Sequence, residues 1–245
     1  MRYLIGTSGY NYPEWRGSFY PEKFSTARML AFYAARFNTV EVNYTFYRIP
    51  TPALLEGWAS GTPDDFTFTL KAPRRITHDS KLQRVEDLTQ TFCRTASTLG
   101  AKLGVLLFQL PPTMKCDVTV LSSFIDTLPE GTRAAFEFRH ASWHDEAVFD
   151  ALRRRNLALC IADSEKMSTP LVATADYGYF RLRDEGYQPG DIERWGETIR
   201  TLDGIRDAYV YFKHEEQGKG PEFAQLLMTT LGCGNRHPTN GHSPS

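Results

Sequence analysis

Four runs of the chain alternate bulky apolar residues with long polar ones. In Thr39-Val40-Glu41-Val42-Asn43 the valines share one face, and Thr39, Glu41 and Asn43 share the other. Phe136-Glu137-Phe138-Arg139, Tyr179-Phe180-Arg181-Leu182-Arg183 and Tyr209-Val210-Tyr211-Phe212-Lys213 repeat the pattern. Side chains alternate across a strand, so each run predicts a strand with one apolar and one ionisable face. The charges fall late in each run. That predicts a barrel whose inner face becomes a polar pocket at the carboxyl ends of its strands.

Strand-like runs recur at 3–7, 39–44, 66–72, 104–110, 134–139, 158–163, 177–183 and 208–214. Helical patterns follow at 26–36, 51–60, 85–100, 118–128, 145–155, 191–202 and 221–231, with a short turn near 166–169 in the sixth unit. Eight strand–helix units predict an α/β fold, a single (β/α)8 TIM barrel with parallel strands. An open doubly wound sheet is the alternative. Its dinucleotide-binding version is excluded, because no Gly-x-Gly-x-x-Gly turn follows the first strand. The barrel is expected over 1–231. Residues 232–245, rich in Gly, Pro, Asn, Ser and His, read as a disordered tail.

Charge and cysteine content narrow the functional classes. With 28 Lys and Arg against 29 Asp and Glu, the net charge of −1 disfavours long nucleic acid as a partner. Arg153-Arg154-Arg155 reads as a solvated helix end. The four cysteines, Cys93, Cys116, Cys160 and Cys233, form no Cys-x-x-Cys pair and fit no zinc spacing. Cys160 reads as a buried hydrophobe and the compartment as reducing. No charged-then-apolar leader and no membrane-length apolar run is present, so a cytoplasmic protein without membrane contact is expected.

The candidate chemistry lies at the strand ends. Parity places Glu41, Lys71, Glu137, Arg181 and Lys213 opposite their apolar neighbours, and Asn43, Gln109, Arg139, Asp163 and Arg183 are expected at the same mouth. Glu41 and Glu137 are the acid/base candidates, since two carboxyls in unlike surroundings can divide that work. Alternatively they neutralise Arg139, Arg181 and Lys213 in a structural network. Asp163 reads equally as a catalytic acid or a helix cap. Lys71 reads as a fixed positive charge for an anion, with a base or Schiff-base nucleophile as alternatives. His78 follows as a loop residue able to shuttle protons, or as a plain surface histidine. Lys219, in Gly218-Lys219-Gly220-Pro221, opens a helix suited to an anion, or simply caps it. Tyr10 and Trp15, in the aromatic first loop, offer rings for stacking on a ligand or for packing.

The segments Gly6-Thr7-Ser8-Gly9-Tyr10, Val40-Glu41-Val42-Asn43-Tyr44-Thr45-Phe46-Tyr47, Lys71-Ala72-Pro73, Gln109-Leu110-Pro111-Pro112 and Phe136-Glu137-Phe138-Arg139 with Ser142-Trp143 stand in the order found in one family. From residue 3 to about 231 the chain resembles the DUF72, or YecE-like, family. The resemblance implies a TIM barrel and implies no activity. The chain departs from the common family pattern at Tyr211-Phe212-Lys213-His214-Glu215, where many members resemble Tyr-Phe-Asn-Asn-Asp, and at Arg181-Leu182-Arg183-Asp184, where many carry Arg-x-His-Gly.

Three functions fit the sequence. The first is an enzyme acting on a small anionic substrate, a phosphorylated sugar or nucleotide-like molecule, with carboxylates for acid/base work. The second is a divalent-metal hydrolase or isomerase using Glu41, Glu137, Asp163 and Glu215 as oxygen ligands. The third is a non-catalytic nucleotide or nucleic-acid binder. Cofactor and oligomeric state are not legible in the sequence.

Overall fold

The computed structural model describes residues 1–163, 168–214 and 216–234. Eight strands, β1 (Arg2–Thr7), β2 (Thr39–Val42), β3 (Thr67–Lys71), β4 (Leu103–Gln109), β5 (Ala134–Glu137), β6 (Ala158–Asp163), β7 (Tyr177–Leu182) and β8 (Asp207–Phe212), pair in parallel in the order β1-β8-β7-β6-β5-β4-β3-β2. The barrel expected from the alternation is therefore present, with most strands ending one or two residues before the polar run does.

Its seam lies between β1 and β2. There the backbone is joined by a Ser8–Glu41 bridge and by Gly9 N donating to the Glu41 carbonyl at 2.8 Å. Side chains complete it. Tyr33 Oη accepts from Thr7 N at 2.7 Å and lies 3.1 Å from the Thr39 carbonyl, and Asn38 spans Ile5 N and the Tyr3 carbonyl. Gly6 permits this approach, since a Cβ there would stand 2.1 Å from the Thr39 carbonyl oxygen.

Helices α1 (Met29–Ala34), α2 (Tyr44–Tyr47), α3 (Pro52–Ser60), α4 (Glu86–Ala96), α5 (Val118–Thr127), α6 (Glu146–Arg153), α7 (Pro189–Thr201) and α8 (Lys219–Thr230) surround the strands. Their starts carry the expected signals. Thr51 precedes Pro52 and accepts from Leu54 N, and Asp117 and Asp145 cap α5 and α6 through Val120 N and Ala147 N. The short α2 was not legible in the sequence, where residues 39–44 read as one strand. The turn expected near 166–169 lies largely outside the described residues, as does the tail beyond 234. Thr169 and Thr174 bond backbone groups of β6 at Ala162 and Leu159.

Strand parity divides the core in two. Leu4, Val105, Leu107, Ala135, Cys160 and Tyr179 belong to the cluster inside the barrel. The residues between them, such as Ile5, Leu106, Phe108, Phe136, Ile161 and Phe180, pack outward against the helices. The same alternation, carried two residues further along β2, β5 and β7, brings Glu41, Glu137 and Arg181 into the interior, where all three are at most 1% exposed. No helix among the described residues is long and apolar enough to cross a membrane.

Candidate functional site

The interior becomes polar towards the carboxyl ends. Tyr211 Oη sits between the hydroxyls of Thr39 and Thr69 at 2.8 and 2.7 Å. Beyond it lies a charged layer centred on Arg181. Its Nη2 donates to Glu41 Oε1 at 2.8 Å and its Nη1 to Glu137 Oε2 at 2.5 Å. Glu41 also accepts from Ser8 Oγ and Tyr179 Oη, each at 2.5 Å. Asn43 Nδ2 donates to Ser8 Oγ at 2.9 Å. Buried carboxylates in a low-dielectric interior need such partners, because an unpaired charge there costs several kcal/mol.

Glu137 is held ionised. Burial favours its neutral form, but Arg181, Arg183 and the Gln109 amide outweigh that and pull its carboxyl down to about 2. A group that stays ionised across the physiological range has no proton to donate there. Of the two readings the sequence left open for Glu137, acid/base work and ion pairing, this geometry favours pairing with Arg181. Tyr179 remains a phenol, since burial and the adjacent Glu41 push it well above its ordinary range.

Above this layer the cations outnumber the acids. Arg139 Nε and Arg183 Nη1 each stand 4.0 Å from Glu137 Oε1, beyond hydrogen-bond reach. Neither guanidinium hydrogen-bonds among the described residues, and Arg183 Nε is buried without a partner. Their charges oppose one another: burial, Arg183 and Arg181 together lower Arg139 despite Glu137.

Lys71 reaches the mouth differently. Its Nζ donates to Gln109 Oε1 at 2.8 Å and lies 4.2 Å from the centre of the Phe46 ring. Gln109 Nε2 donates to Glu137 Oε2 at 2.8 Å, which fixes the amide with its oxygen towards Lys71. Burial and Arg181 bring Lys71 down to about 8, against the opposing pull of Glu41 and Glu137. His78 packs edge-on against Phe46 at 5.0 Å and bonds Thr77 Oγ1 through Nδ1. Burial and Lys71 hold it below its ordinary range, so it is neutral at pH 7.

Beside Lys71 opens a cleft of about 470 Å³, lined by Tyr10, Asn43, Phe46, Trp58, Lys71 and Lys213 among others. Tyr47, 81% exposed, lies on its rim. The structure thus brings together Asn43, Tyr10, Lys71 and Lys213 at the cleft, and Gln109, Arg139, Arg181 and Arg183 around Glu137.

Three expected residues fall elsewhere. Trp15 is 1% exposed, enclosed by Tyr12, Phe19 and Tyr20, because the first loop folds its aromatics onto the barrel. Asp163 is in register with Leu182, whereas Ala162 aligns with Arg181. Its side chain therefore faces outward, accepting from Tyr187 Oη at 2.7 Å and Trp195 Nε1 at 3.3 Å. Lys219 pairs with Glu222 on α8. The glycines on either side of it face the protein itself, a Cβ at Gly218 meeting Ser18 Oγ at 2.5 Å and one at Gly220 meeting the His214 carbonyl oxygen at 2.8 Å. Of the expected metal ligands, Glu41 and Glu137 are bridged by Arg181 and Asp163 faces away, while Glu215 lies outside the described residues. Among the described residues no group of three or more His, Cys, Asp or Glu side chains could hold a metal.

The reading from sequence missed Ser8 and Tyr179 as donors to Glu41, although both share the parity of the charged positions. It also missed Phe46, which depends on the unforeseen turn of α2.

Fold and site together define a TIM-barrel protein with a buried Glu–Arg–Glu layer beneath a cationic mouth. The chain belongs to the family described as "Protein of unknown function DUF72", whose model matches residues 4–245. It is 33% identical over 138 residues to the UPF0759 protein YecE of Escherichia coli (strain K12), and 28% identical over 142 residues to the UPF0759 protein YunF of Bacillus subtilis (strain 168). The matches cover 54% of this chain, and the chain spans about half the length of these curated relatives, 51% and 50%. Among solved structures, a DUF72 family protein from Thermotoga maritima MSB8 is similar with a TM-score of 0.84 and 26% identity, covering 95% of this chain and 100% of that one. D-Psicose 3-epimerase from Clostridium cellulolyticum H10, solved with D-tagatose, has a TM-score of 0.54 at 10% identity, covering 95% of this chain and 97% of its own, and shares the fold alone.

Proposed function

We propose that the barrel mouth binds a small anionic substrate and that the protein is an enzyme acting on it. The observation that carries this reading is the pair Arg139 and Arg183. Both stand 4.0 Å from one carboxylate oxygen and make no hydrogen bond to it. Glu41 and Glu137 supply two negative charges, against which Arg181, Lys71, Arg139 and Arg183 supply four positive ones. Guanidinium groups left short of acceptors match a phosphate or carboxylate, which accepts bidentate bonds. The carboxylates serve here as a fixed foundation, and Lys71 is the group near the mouth whose protonation changes close to neutral pH.

A thermal-shift panel of inorganic phosphate, sugar phosphates, nucleotides, the parent neutral sugars and divalent cations tests the reading. Binding at about a hundred times the dissociation constant adds roughly 2.7 kcal/mol. Stabilisation by phosphorylated compounds and not by their neutral parents is the expected result. Stabilisation by divalent cations alone would favour metal chemistry instead, and stabilisation by none would leave the mouth a structural network. A response confined to nucleotides, without turnover, would favour a binding protein.

A further inference from the structure

We propose that Lys71 is a covalent catalyst, whose amine condenses with an aldehyde or ketone carbonyl of the anionic substrate to form an imine. The inference rests on the anion-binding reading above and names the substrate as a carbonyl compound.

Three features of the geometry carry it. First, Lys71 makes no ion pair within 4.0 Å among the described residues, although two carboxylates lie in the layer below it. Arg181 takes both, leaving Lys71 a neutral acceptor, Gln109 Oε1 at 2.8 Å. A lysine serving as structural counter-charge pairs with a carboxylate; one hydrogen-bonded to a neutral amide keeps that bond after losing its proton, because an amine still donates N–H. Second, the orientation is fixed. Glu137 is an ionised acceptor and requires the NH2 end of Gln109, so the amide oxygen faces Nζ and the free lone pair of the neutral amine points away from Gln109. Third, Lys71 lines the open cleft and is linked to the arginine pair through Gln109 and Glu137: Gln109 bonds Lys71 and Glu137 Oε2, and both arginines stand 4.0 Å from Glu137 Oε1. The proposal requires a ligand whose anionic end meets Arg139 and Arg183 to reach Nζ with its carbonyl end. Burial and Arg181 place Lys71 near 8, so a useful fraction is neutral amine at physiological pH.

The step is balanced without an oxidant or reductant. The Nζ lone pair forms the C–N bond while the carbonyl π pair moves to oxygen, which takes one proton from the nitrogen. The remaining N–H proton and the hydroxyl then leave as water, giving the imine. Protonated, that imine withdraws electrons from the adjacent carbon, which favours proton loss or C–C cleavage there. His78, neutral and packed against the same Phe46 ring, is a group able to move these protons.

The test is reductive trapping on the full chain. The protein is treated with glyceraldehyde 3-phosphate and sodium cyanoborohydride, and the lysine peptides are assigned by mass spectrometry, with inorganic phosphate binding measured on the same preparation. The expected result is a reduced adduct concentrated on Lys71. Its yield at subsaturating aldehyde should fall about a hundredfold with unphosphorylated glyceraldehyde or in Arg139→Gln/Arg183→Gln, as loss of two charge-assisted contacts requires, and should fall progressively with competing phosphate. Labelling spread evenly over exposed lysines such as Lys23 and Lys115, with phosphate still bound, would overturn the imine while leaving the anion reading intact. Absence of both phosphate binding and the adduct would overturn both.

Discussion

Arg181→Met lowers stability by about 3–5 kcal/mol at pH 7, because it leaves two buried carboxylates without their shared partner. The dependence on pH identifies the cause. In the parent protein the Glu137 carboxyl sits at about 2, below the ordinary unfolded value near 4.3. Its stabilising contribution is therefore complete above the unfolded value and is lost as the pH falls towards 2. In the variant burial, the largest influence on Glu137, is no longer opposed by Arg181, and the carboxyl moves upward. Acidification then relieves the variant while it weakens the parent, so the gap between them narrows. Urea unfolding at pH 7 and pH 4 measures this. A loss below about 1 kcal/mol, or one equal at the two pH values, would mean that the layer is not an ion-pair network. Should the variant fail to fold, the combination Arg181→Met, Glu41→Gln and Glu137→Gln provides the control. Removing every charge together should recover most of the loss.

Arg139→Gln/Arg183→Gln should weaken phosphate binding about a hundredfold, since each charge-assisted hydrogen bond contributes roughly 1.5–3 kcal/mol. The fold should lose no more than about 1 kcal/mol. Arg181 still pairs with Glu137, neither guanidinium is hydrogen-bonded among the described residues, and relief of their mutual repulsion offsets the lost pull of Arg183 on Glu137. Loss of binding with retained or raised stability separates a ligand site from a structural network, in which removing the arginines would destabilise. Calorimetric titration at low and high salt, beside urea unfolding, reads both quantities. Unchanged phosphate affinity with a loss of several kcal/mol in stability would assign the pair to the fold.

Much of this arrangement was legible in the sequence, for a simple reason. Alternation along a strand is local, so Glu41, Glu137 and Arg181 could be assigned to one face from their neighbours, and eight such strands closed into one barrel bring them together. Asp163 shows the limit of that reasoning. Its strand is apolar throughout, which gives no contrast between faces, and the register of β6 on β7 decides that Ala162 faces inward. For Trp15 the sequence left stacking on a ligand and packing both open, and its burial depends on the path of an irregular loop. The division of labour among the charges was not legible either. Which acid pairs with which base depends on distances of a few ångströms across the barrel, and these join Glu137 to Arg181 and leave Lys71 with a neutral partner.

The measurement that addresses the cationic mouth most directly is a crystal structure of the protein grown in the presence of inorganic phosphate. The account requires phosphate held by Arg139 and Arg183, with Arg181 still joined to both Glu41 and Glu137 beneath it. An empty mouth, with Arg139 and Arg183 drawn into direct hydrogen bonds with Glu137, would contradict it.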